Sequence, residues 1–254
     1  MTPKIFVLAH PNFSEAFKEF LKDENLDWIQ TKGTAAERLI EFAGRICYMS
    51  FGPRQSDRIN REYILNLIKS GHESVLEHVT WTFLLSGVTR AFTHQLVRHR
   101  IGFSFSQLSQ QYHDESEATF LAPHALEKSP EALAIWQEAI EQSHNAYRKI
   151  LKLLSSPEAN ADYQRKEFVR ATRSAARSVL PNATETKIVV TANGRALRHF
   201  LALRGCTEGD HEMRAVSTLV YNLIAKDAPA LVADFKLELA SDGLPIVLHT
   251  GEKS

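Results

Sequence analysis

The residues best suited to chemistry lie in one segment that begins with Arg98-His99-Arg100 and ends at Tyr112. Two fixed positive charges there precede a stretch of hydroxyl and amide side chains, and no Asp or Glu occurs between His78 and His113. Arginines and turn N–H groups without neighbouring carboxylates suit a phosphorylated ligand such as a nucleotide. Ordinary loops share this composition, so the segment by itself leaves a phosphate site and a plain loop both open.

A second basic segment runs from Phe168 to Arg204, where six arginines and one lysine stand against a single acidic residue, Glu185. The first three arginines fall on one side of a predicted helix, because residues three and seven apart share a face; they are Arg170, Arg173 and Arg177. Arginine is well suited to forked contacts with phosphate. The alternative is a solvated helix face paired with distant carboxylates, and two such segments in one neutral chain make that alternative weaker.

Several other chemistries lack their sequence patterns. The glycine-rich loops of dinucleotide and Walker-type sites are absent, and so is the Gly-x-Ser-x-Gly turn of hydrolases. Histidines cluster between His72 and His99 without the spacing of metal ligands, so no metal site is predicted. Cys206 follows Arg204-Gly205 and is a candidate nucleophile, although a lone cysteine is more often a small buried hydrophobe.

The overall composition is that of a globular protein. The chain has 254 residues, of which 44% are hydrophobic and 24% charged, and its 30 basic residues balance its 30 acidic ones. These values exclude a disordered or collagen-like chain, and neutrality argues against nucleic acid or an anionic membrane surface as a partner. No apolar run approaches the roughly 20 residues of a membrane-spanning helix. With two cysteines and no recognisable signal peptide, we expect a cytoplasmic protein.

Hydrophobic periodicity predicts the elements that must position these residues. Strands are predicted at 4–8, 79–86, 186–191, 235–239 and 246–249. Helices are predicted at 35–48, 57–70, 89–98, 129–155, 161–179, 195–204 and 212–226, and a Ser/Gln loop at 102–111. Long helices between strands, without a regular strand–helix alternation or a linker, indicate one α+β domain over residues 1–254.

Several segments together resemble one known family. Arg98-His99-Arg100, eight further residues and Ser109 are similar to the Arg-His-Arg-x7–8-Ser motif of the flavin-dependent thymidylate synthases. Four more blocks resemble that family in the expected order: Glu41–Arg45, Gly71–His78, Arg177–Thr186 and Asn193–Arg204. The resemblance covers most of residues 35–225.

The resemblance implies a fold and a reaction. It implies an α+β domain with a central antiparallel sheet packed by long helices, assembled as a homotetramer whose active sites take residues from several subunits. The implied reaction methylates C5 of dUMP to give dTMP. Methylenetetrahydrofolate supplies the carbon, reduced FAD supplies a hydride, and NADPH reduces the flavin again. No protein nucleophile is implied, which fits two cysteines without an activating context.

The resemblance also implies roles for individual residues. Those matching positions that hold FAD are Ser74, Glu77, Arg98, His99, Arg100, Asn193 and His199. Those matching the uridylate pocket are Gln95, Gln107, Ser109, Gln110, Gln111, Arg177 and Arg204. Arg204 is the catalytic candidate, because its charge can stabilise an anion developing on the uracil carbonyl oxygens. Structural alternatives are an ion pair of Glu77 with Arg98 and a hydrogen-bonded core position for His199.

Two positions depart from the family pattern. Gln111 stands where the family has an arginine after Ser109, and Glu208 stands where it commonly has a histidine. Loss of a guanidinium weakens anion binding, since charge-assisted hydrogen bonds are about twice as strong as neutral ones. A second hypothesis is therefore the same flavin and folate chemistry on UMP or another uridylate. A third is a nucleic-acid-binding module that uses the arginines, against which the neutral charge argues.

Overall fold

The computed structural model describes residues 2–155, 165–207 and 209–251. Its helices are α1 (Phe17–Asp23), α2 (Ala35–Tyr48), α3 (Asn60–Lys69), α4 (Arg90–Leu96), α5 (Pro130–Leu154), α6 (Arg165–Ala176), α7 (Gly194–Arg204) and α8 (His211–Asp227). Its strands are β1 (Lys4–Ala9), β2 (Thr80–Thr89), β3 (Phe103–Gln107), β4 (Glu185–Asn193), β5 (Phe235–Leu239) and β6 (Pro245–His249). This mixture of helices and strands is consistent with the predicted α+β class.

The strands belong to two sheets in the described part of the chain. One has four strands in the order β1-β2-β4-β3, and the other consists of β5 and β6. The pair β5–β6 is antiparallel, with Phe235 opposite His249 and Leu239 opposite Pro245. Consecutive β5 and β6 are joined by the short turn that antiparallel neighbours allow.

The loop predicted at 102–111 is wrong in its first half, where β3 forms. Phe103 and Phe105 alternate with serines along β3, and the two rings stack with their centroids 5.6 Å apart. Because side chains alternate between the faces of a strand, this spacing places both rings on one face. The high serine content, typical of loops, concealed a two-residue alternation.

The helix predicted at 161–179 ends earlier than expected. Helix α6 stops at Ala176, and Arg177–Val179 forms a 3-10 turn, while residues 161–164 lie outside the described residues. Periodicity also misses the seven-residue helix α1. The other predicted strands and helices are confirmed, with ends displaced by a few residues.

The chain divides into two compact units. Unit 1 comprises residues 1–4, 85–98 and 106–188, and unit 2 comprises residues 5–84, 99–105 and 189–254. The single domain over residues 1–254 stays a prediction.

Unit 2 contains a buried ion pair between two residues of α2. Glu41 is 1% exposed and Arg45 is 0% exposed, and Arg45 Nε donates to Glu41 Oε1 over 2.8 Å. Asn60, at the start of α3, donates its side-chain amide to the other oxygen of Glu41 over 2.7 Å. Charges at this depth need such partners, so these groups fix α2 against α3.

Unit 1 packs α5 against the segment that follows the Ser/Gln stretch. Tyr147 of α5 is fully buried, and its hydroxyl accepts the Glu115 N–H over 3.0 Å and lies 3.3 Å from the Asp114 carboxylate. His144, one turn earlier, lies 2.9 Å from the Glu115 carbonyl oxygen. Helix α5 also contacts α6, so both helices and the 112–116 segment have fixed positions within unit 1.

Candidate active site

The candidate site residues from the sequence fall into both units. Unit 1 contains Gln95, Arg98, Gln107, Ser109, Gln110, Gln111 and Arg177. Unit 2 contains Ser74, Glu77, His99, Arg100, Asn193, His199 and Arg204. Most of the uridylate candidates are therefore in unit 1, and most of the FAD candidates are in unit 2.

In unit 1, the end of the Ser/Gln segment lies against α6. The Gln111 side-chain amide donates to Ser174 Oγ over 2.8 Å, and Arg173 donates to the Tyr112 carbonyl oxygen over 2.6 Å. The Arg170 guanidinium lies 5.2 Å from the centre of the Tyr112 ring, within cation–π range. Two arginines of the predicted stripe thus hold the segment, whereas Arg177 lies beyond the α-helix in the 3-10 turn.

Unit 1 also has polar donors that lack protein acceptors. The Arg177 guanidinium makes no hydrogen bond or ion pair with any residue of the described ranges. Gln110 is 6% exposed, and its amide nitrogen is buried without a partner among the same residues. A buried donor without an acceptor costs free energy, so the Gln110 amide and the Arg177 guanidinium each suit an anionic or carbonyl-bearing ligand.

Arg90 is a charged residue of unit 1 that interacts with the charge of Arg177 and was not among the candidates. Its guanidinium lies 3.4 Å from the Leu108 carbonyl oxygen. Burial lowers the pKa of Arg90, while the charges of Glu115 and Arg177 act on it in opposite directions. Burial also raises the pKa of the Glu115 carboxyl, against the opposing effects of His113 and Arg90. The only sequence signal for Arg90 was its position in the segment without acids.

Gln107 and Ser109 have structural partners in unit 1. The Gln107 amide donates to Thr93 Oγ1 over 2.9 Å and lies 3.3 Å from Thr186 Oγ1. Ser109 closes a turn, since its carbonyl oxygen accepts from the N–H groups of Tyr112 and His113. Ser109 Oγ also lies 3.3 Å from the Gln111 N–H. Gln95 is exposed on α4.

In unit 2, the structure brings three of the predicted residues together. Arg204 Nε donates to His99 Nε2 over 3.3 Å, and the His99 and His199 rings have centroids 6.4 Å apart. Burial lowers the pKa of His99, and the charge of Arg204 and the neighbouring His199 lower it further. His99 is therefore neutral at pH 7, with Nε2 as an acceptor for the Arg204 N–H. The sequence did not indicate this pair, because the residues are 105 positions apart.

Glu77 is paired with a residue that was not among the candidates. Arg195 lies 2.7 Å from Glu77 Oε1 and 3.3 Å from Glu73 Oε2. The hydrogen bond with Glu77 raises the pKa of Arg195. The alternative partner considered for Glu77, Arg98, belongs to the other unit. Nothing in the sequence pattern distinguished Arg195 from its neighbours on the helix.

Asn193 holds the start of α7. Its side-chain oxygen accepts the Ala196 N–H over 2.8 Å, the bond of an N-terminal cap. Gly102, with a φ of +74°, lies so close that a Cβ there would be 2.7 Å from the Asn193 amide nitrogen. Only glycine fits both this conformation and this contact. The Asn193 N–H also donates to the Gly102 carbonyl oxygen over 3.0 Å, which fixes the chain just after His99 and Arg100 to the helix that carries His199 and Arg204.

The remaining unit 2 candidates suit an anionic cofactor by their chemistry. Ser74, Arg100 and His199 are exposed, and none of them has an ion pair or side-chain hydrogen bond within the described residues. The one acid of the set, Glu77, is neutralised by Arg195. Arg98, in unit 1, is likewise exposed. The donor set fits a phosphorylated group.

The described residues include two cysteines and were compared with the requirements of a metal site and of a membrane-spanning helix. Cys47 and Cys206 are both exposed, so the alternative of a buried hydrophobe is wrong for Cys206. Across residues 2–155, 165–207 and 209–251, no three His, Cys, Asp or Glu side chains are grouped as metal ligands. No helix in those ranges is both long enough and apolar enough to span a bilayer. Glu208 lies outside the described residues.

The fold and the two polar sets define an α+β protein suited to phosphorylated ligands, and comparison with known proteins identifies its family. A family model described as thymidylate synthase complementing protein (Thy1) matches residues 29–230. A flavin-dependent thymidylate synthase of Mycobacteroides abscessus is 41% identical over 234 residues, 91% of each chain. One from Mycolicibacterium vanbaalenii is 40% identical over 90% of each chain, and one from Mycobacterium marinum 41% over 89%. The chain belongs to the flavin-dependent thymidylate synthase family, and it is a flavin-dependent enzyme of thymidylate synthesis.

Proposed function

We propose that the protein methylates C5 of dUMP. A bond forms between C5 and the one-carbon unit of methylenetetrahydrofolate, the bond from that carbon to the folate breaks, and the C5 proton leaves. A hydride reduces the transferred carbon to a methyl group, and the products are dTMP and tetrahydrofolate. FAD, when bound, supplies the hydride chemistry after reduction by NADPH. Family membership supports thymidylate synthesis. The polar side chains of the two units support the roles that are proposed below for individual residues.

The uridylate phosphate is proposed to bind in unit 1. The observation that carries this assignment is the pair of donors without protein acceptors, Arg177 and the buried Gln110 amide. Ser109 is proposed to contribute its hydroxyl and the turn that follows it, and Gln95, Gln107 and Gln111 are proposed to contact the uridylate as well. Charge-assisted hydrogen bonds from Arg177 then outweigh the cost of desolvating the phosphate.

Arg204 is proposed to act on the uracil. Its Nε is held by the neutral His99 ring, and its other N–H donors have no acceptor among the described residues. Those donors can face a uracil carbonyl oxygen, where negative charge grows as C5 becomes nucleophilic. A fixed donor at such an oxygen contributes about 3 to 4 kcal/mol to the transition state.

FAD is proposed to contact Ser74, Glu77, Arg98, His99, Arg100, Asn193 and His199. The exposed, unpaired donors of this set support a pyrophosphate-bearing cofactor, with Glu77 oriented by Arg195. The enzyme is further proposed to be a cytoplasmic homotetramer of single-domain chains whose active sites combine residues of several subunits.

The anaerobic visible spectrum tests this function directly. With NADPH present, the flavin band of the purified protein should bleach faster after dUMP is added, and adding methylenetetrahydrofolate should then yield dTMP. UMP added instead should leave the bleaching slow. A protein that stays colourless after incubation with FAD contradicts the flavin assignment. A bleaching rate that does not change when dUMP is added contradicts dUMP as the substrate.

A second candidate substrate is UMP, and one observation favours it. Gln111, in place of the family's arginine, is neutral and already bonded to Ser174, so the pocket lacks one expected charge. Turnover on UMP equal to or faster than that on dUMP, measured at matched concentrations, would establish this alternative.

A further inference from the structure

The C-terminal hairpin, defined as Phe235–His249 with its two strands and turn, is not explained by the proposed site. It begins five residues after the segment that the family model matches, which ends at residue 230. The hairpin belongs to unit 2, where β6 contacts both α7 and α8. No residue of it is among the candidates for FAD or uridylate.

The open end of the hairpin is fixed to α7 by a cluster around the buried Arg198. Arg198 is 7% exposed, and its two terminal nitrogens lie 2.6 and 2.7 Å from the two oxygens of Asp234. His249 Nε2 lies 3.0 Å from the same carboxylate. Burial raises the pKa of Asp234, but the hydrogen bonds and charge of Arg198 and the bond with His249 lower it overall. Asp234 is therefore ionised, and it links α7 to β6.

The turn of the hairpin is fixed to α8 by a second cluster of the same three residue types. Arg214, 4% exposed, lies 2.9 and 2.8 Å from the two oxygens of Asp242. His211 Nε2 lies 3.2 Å from Asp242 as well. Both ends of the hairpin are thus held by arginines of successive helices, and planar arginine–carboxylate pairs constrain orientation as well as distance.

Between the two clusters, β6 meets the last turn of α7. The Val247 N–H donates to the Gly205 carbonyl oxygen over 2.9 Å, and Val247 is fully buried. A Cβ at Gly205 would overlap the Val247 carbonyl oxygen and lie 2.6 Å from the Leu201 carbonyl oxygen. Gly205 directly follows Arg204, so the strand touches the backbone next to the catalytic candidate.

We propose that the C-terminal hairpin is the element that positions Arg204. The two Arg–Asp–His clusters hold the hairpin, Val247 holds the backbone at Gly205, and the end of α7 then keeps Arg204 Nε within reach of His99. Asp234 is therefore proposed as a positioning residue, since it would act on the reaction only through Arg204. The inference rests on the proposed role of Arg204.

The test compares two charge-removing variants, one at the residue that precedes the hairpin and one within it. Asp234→Asn breaks the cluster on α7, and Glu238→Gln removes one charge from an exposed position of β5 whose side chain has no hydrogen bond or ion pair with a described residue. The readouts are kcat for dUMP and the pKa of His99, followed by NMR of histidine-labelled full-length protein. His99→Gln identifies the His99 signal.

In Asp234→Asn the His99 pKa should rise, because the charge of Arg204 moves away from the ring while His199, Phe103 and Phe200 stay beside it. At the same time kcat should fall by about 10-fold to 100-fold, the cost of displacing a catalytic group by an ångström or so. Glu238→Gln should change neither quantity. A variant that melts at a lower temperature yet keeps the wild-type His99 titration and kcat would overturn the inference.

The two proposals fail in different ways. A wild-type protein that makes no dTMP would refute the proposed function, while the His99 titration would still decide whether the hairpin holds Arg204. If Asp234→Asn does not fold, His249→Ala replaces it, because this variant keeps the Arg198–Asp234 pair. It should raise the His99 pKa by a smaller amount, and an unchanged titration there contradicts the inference.

Discussion

At the scale of single residues, Gln111 stands where the resemblance to the family predicts an arginine. Its amide donates to Ser174 over 2.8 Å in the same unit as Arg90 and Arg177. Gln111→Arg should tighten dUMP binding about fivefold, since a charged donor to phosphate is worth roughly 1 kcal/mol more than a neutral one. Isothermal titration calorimetry with dUMP measures this change.

The control for that substitution is Ser174→Ala. It frees the Gln111 amide without adding a charge, so its effect on dUMP binding should be much smaller than that of Gln111→Arg. Equal affinities of Gln111→Arg and wild type would show that residue 111 does not face the phosphate.

The sequence could identify residue types at the site but not their partners. Arg204 and His99 both stand in family blocks, yet their hydrogen bond joins residues from segments that only the fold brings together. Arg195 likewise donates to the Glu77 carboxylate, although the two residues are 118 positions apart in the sequence. Spacing along one helix or strand is readable from sequence, whereas pairing between distant elements depends on tertiary packing.

At the scale of elements, the block Glu41–Arg45 of the family pattern has a structural explanation. Its two charged ends form the fully buried ion pair of α2. Arg45→Met should lower the free energy of unfolding by about 3 to 5 kcal/mol, because it leaves the Glu41 carboxylate buried without its cation. Urea denaturation followed by circular dichroism measures the loss.

Two further variants separate burial from charge. Lys18→Met removes a lysine from an ion pair with Glu15 that is exposed on both sides, 65% and 63%, and it should leave stability unchanged within error. Glu41→Leu combined with Arg45→Met should recover part of the loss. A double variant as unstable as the sum of the single variants would contradict the pairing.

The elements themselves were predictable where one hydrophobic period was strong. Helix α5 and strand β4 follow clear patterns, and both form where expected. Strand β3 was not predicted, because the serines between its phenylalanines resemble the composition of a loop. The end of α6 at Ala176 was also hidden, since Arg177 continues the helical spacing while the backbone tightens into a 3-10 turn.

At the scale of the molecule, the net charge of zero conceals an uneven distribution. Unit 1 contains the acid-poor segment around Arg90 and the donors of Arg177 and Gln110, and unit 2 contains His99, His199 and Arg204. The composition of the whole chain does not show such local groups of charged residues. For this reason it indicated only a globular protein. The assignment of uridylate and FAD to different sets has a consequence for the proposed homotetramer.

Subunit mixing tests that consequence. Arg177→Ala should abolish uridylate binding, and His199→Ala should weaken FAD binding, so each variant alone should be nearly inactive. Suppose that every active site combines the unit 1 set of one subunit with the unit 2 set of another. After random assembly of co-expressed variants, about half of the unit 1 sets and about half of the unit 2 sets are intact. About a quarter of the sites then have both sets intact, so about a quarter of wild-type activity should be recovered. Mixing separately assembled tetramers is the control and should recover none. Absence of recovery after co-expression would mean that each chain supplies both sets to its own site.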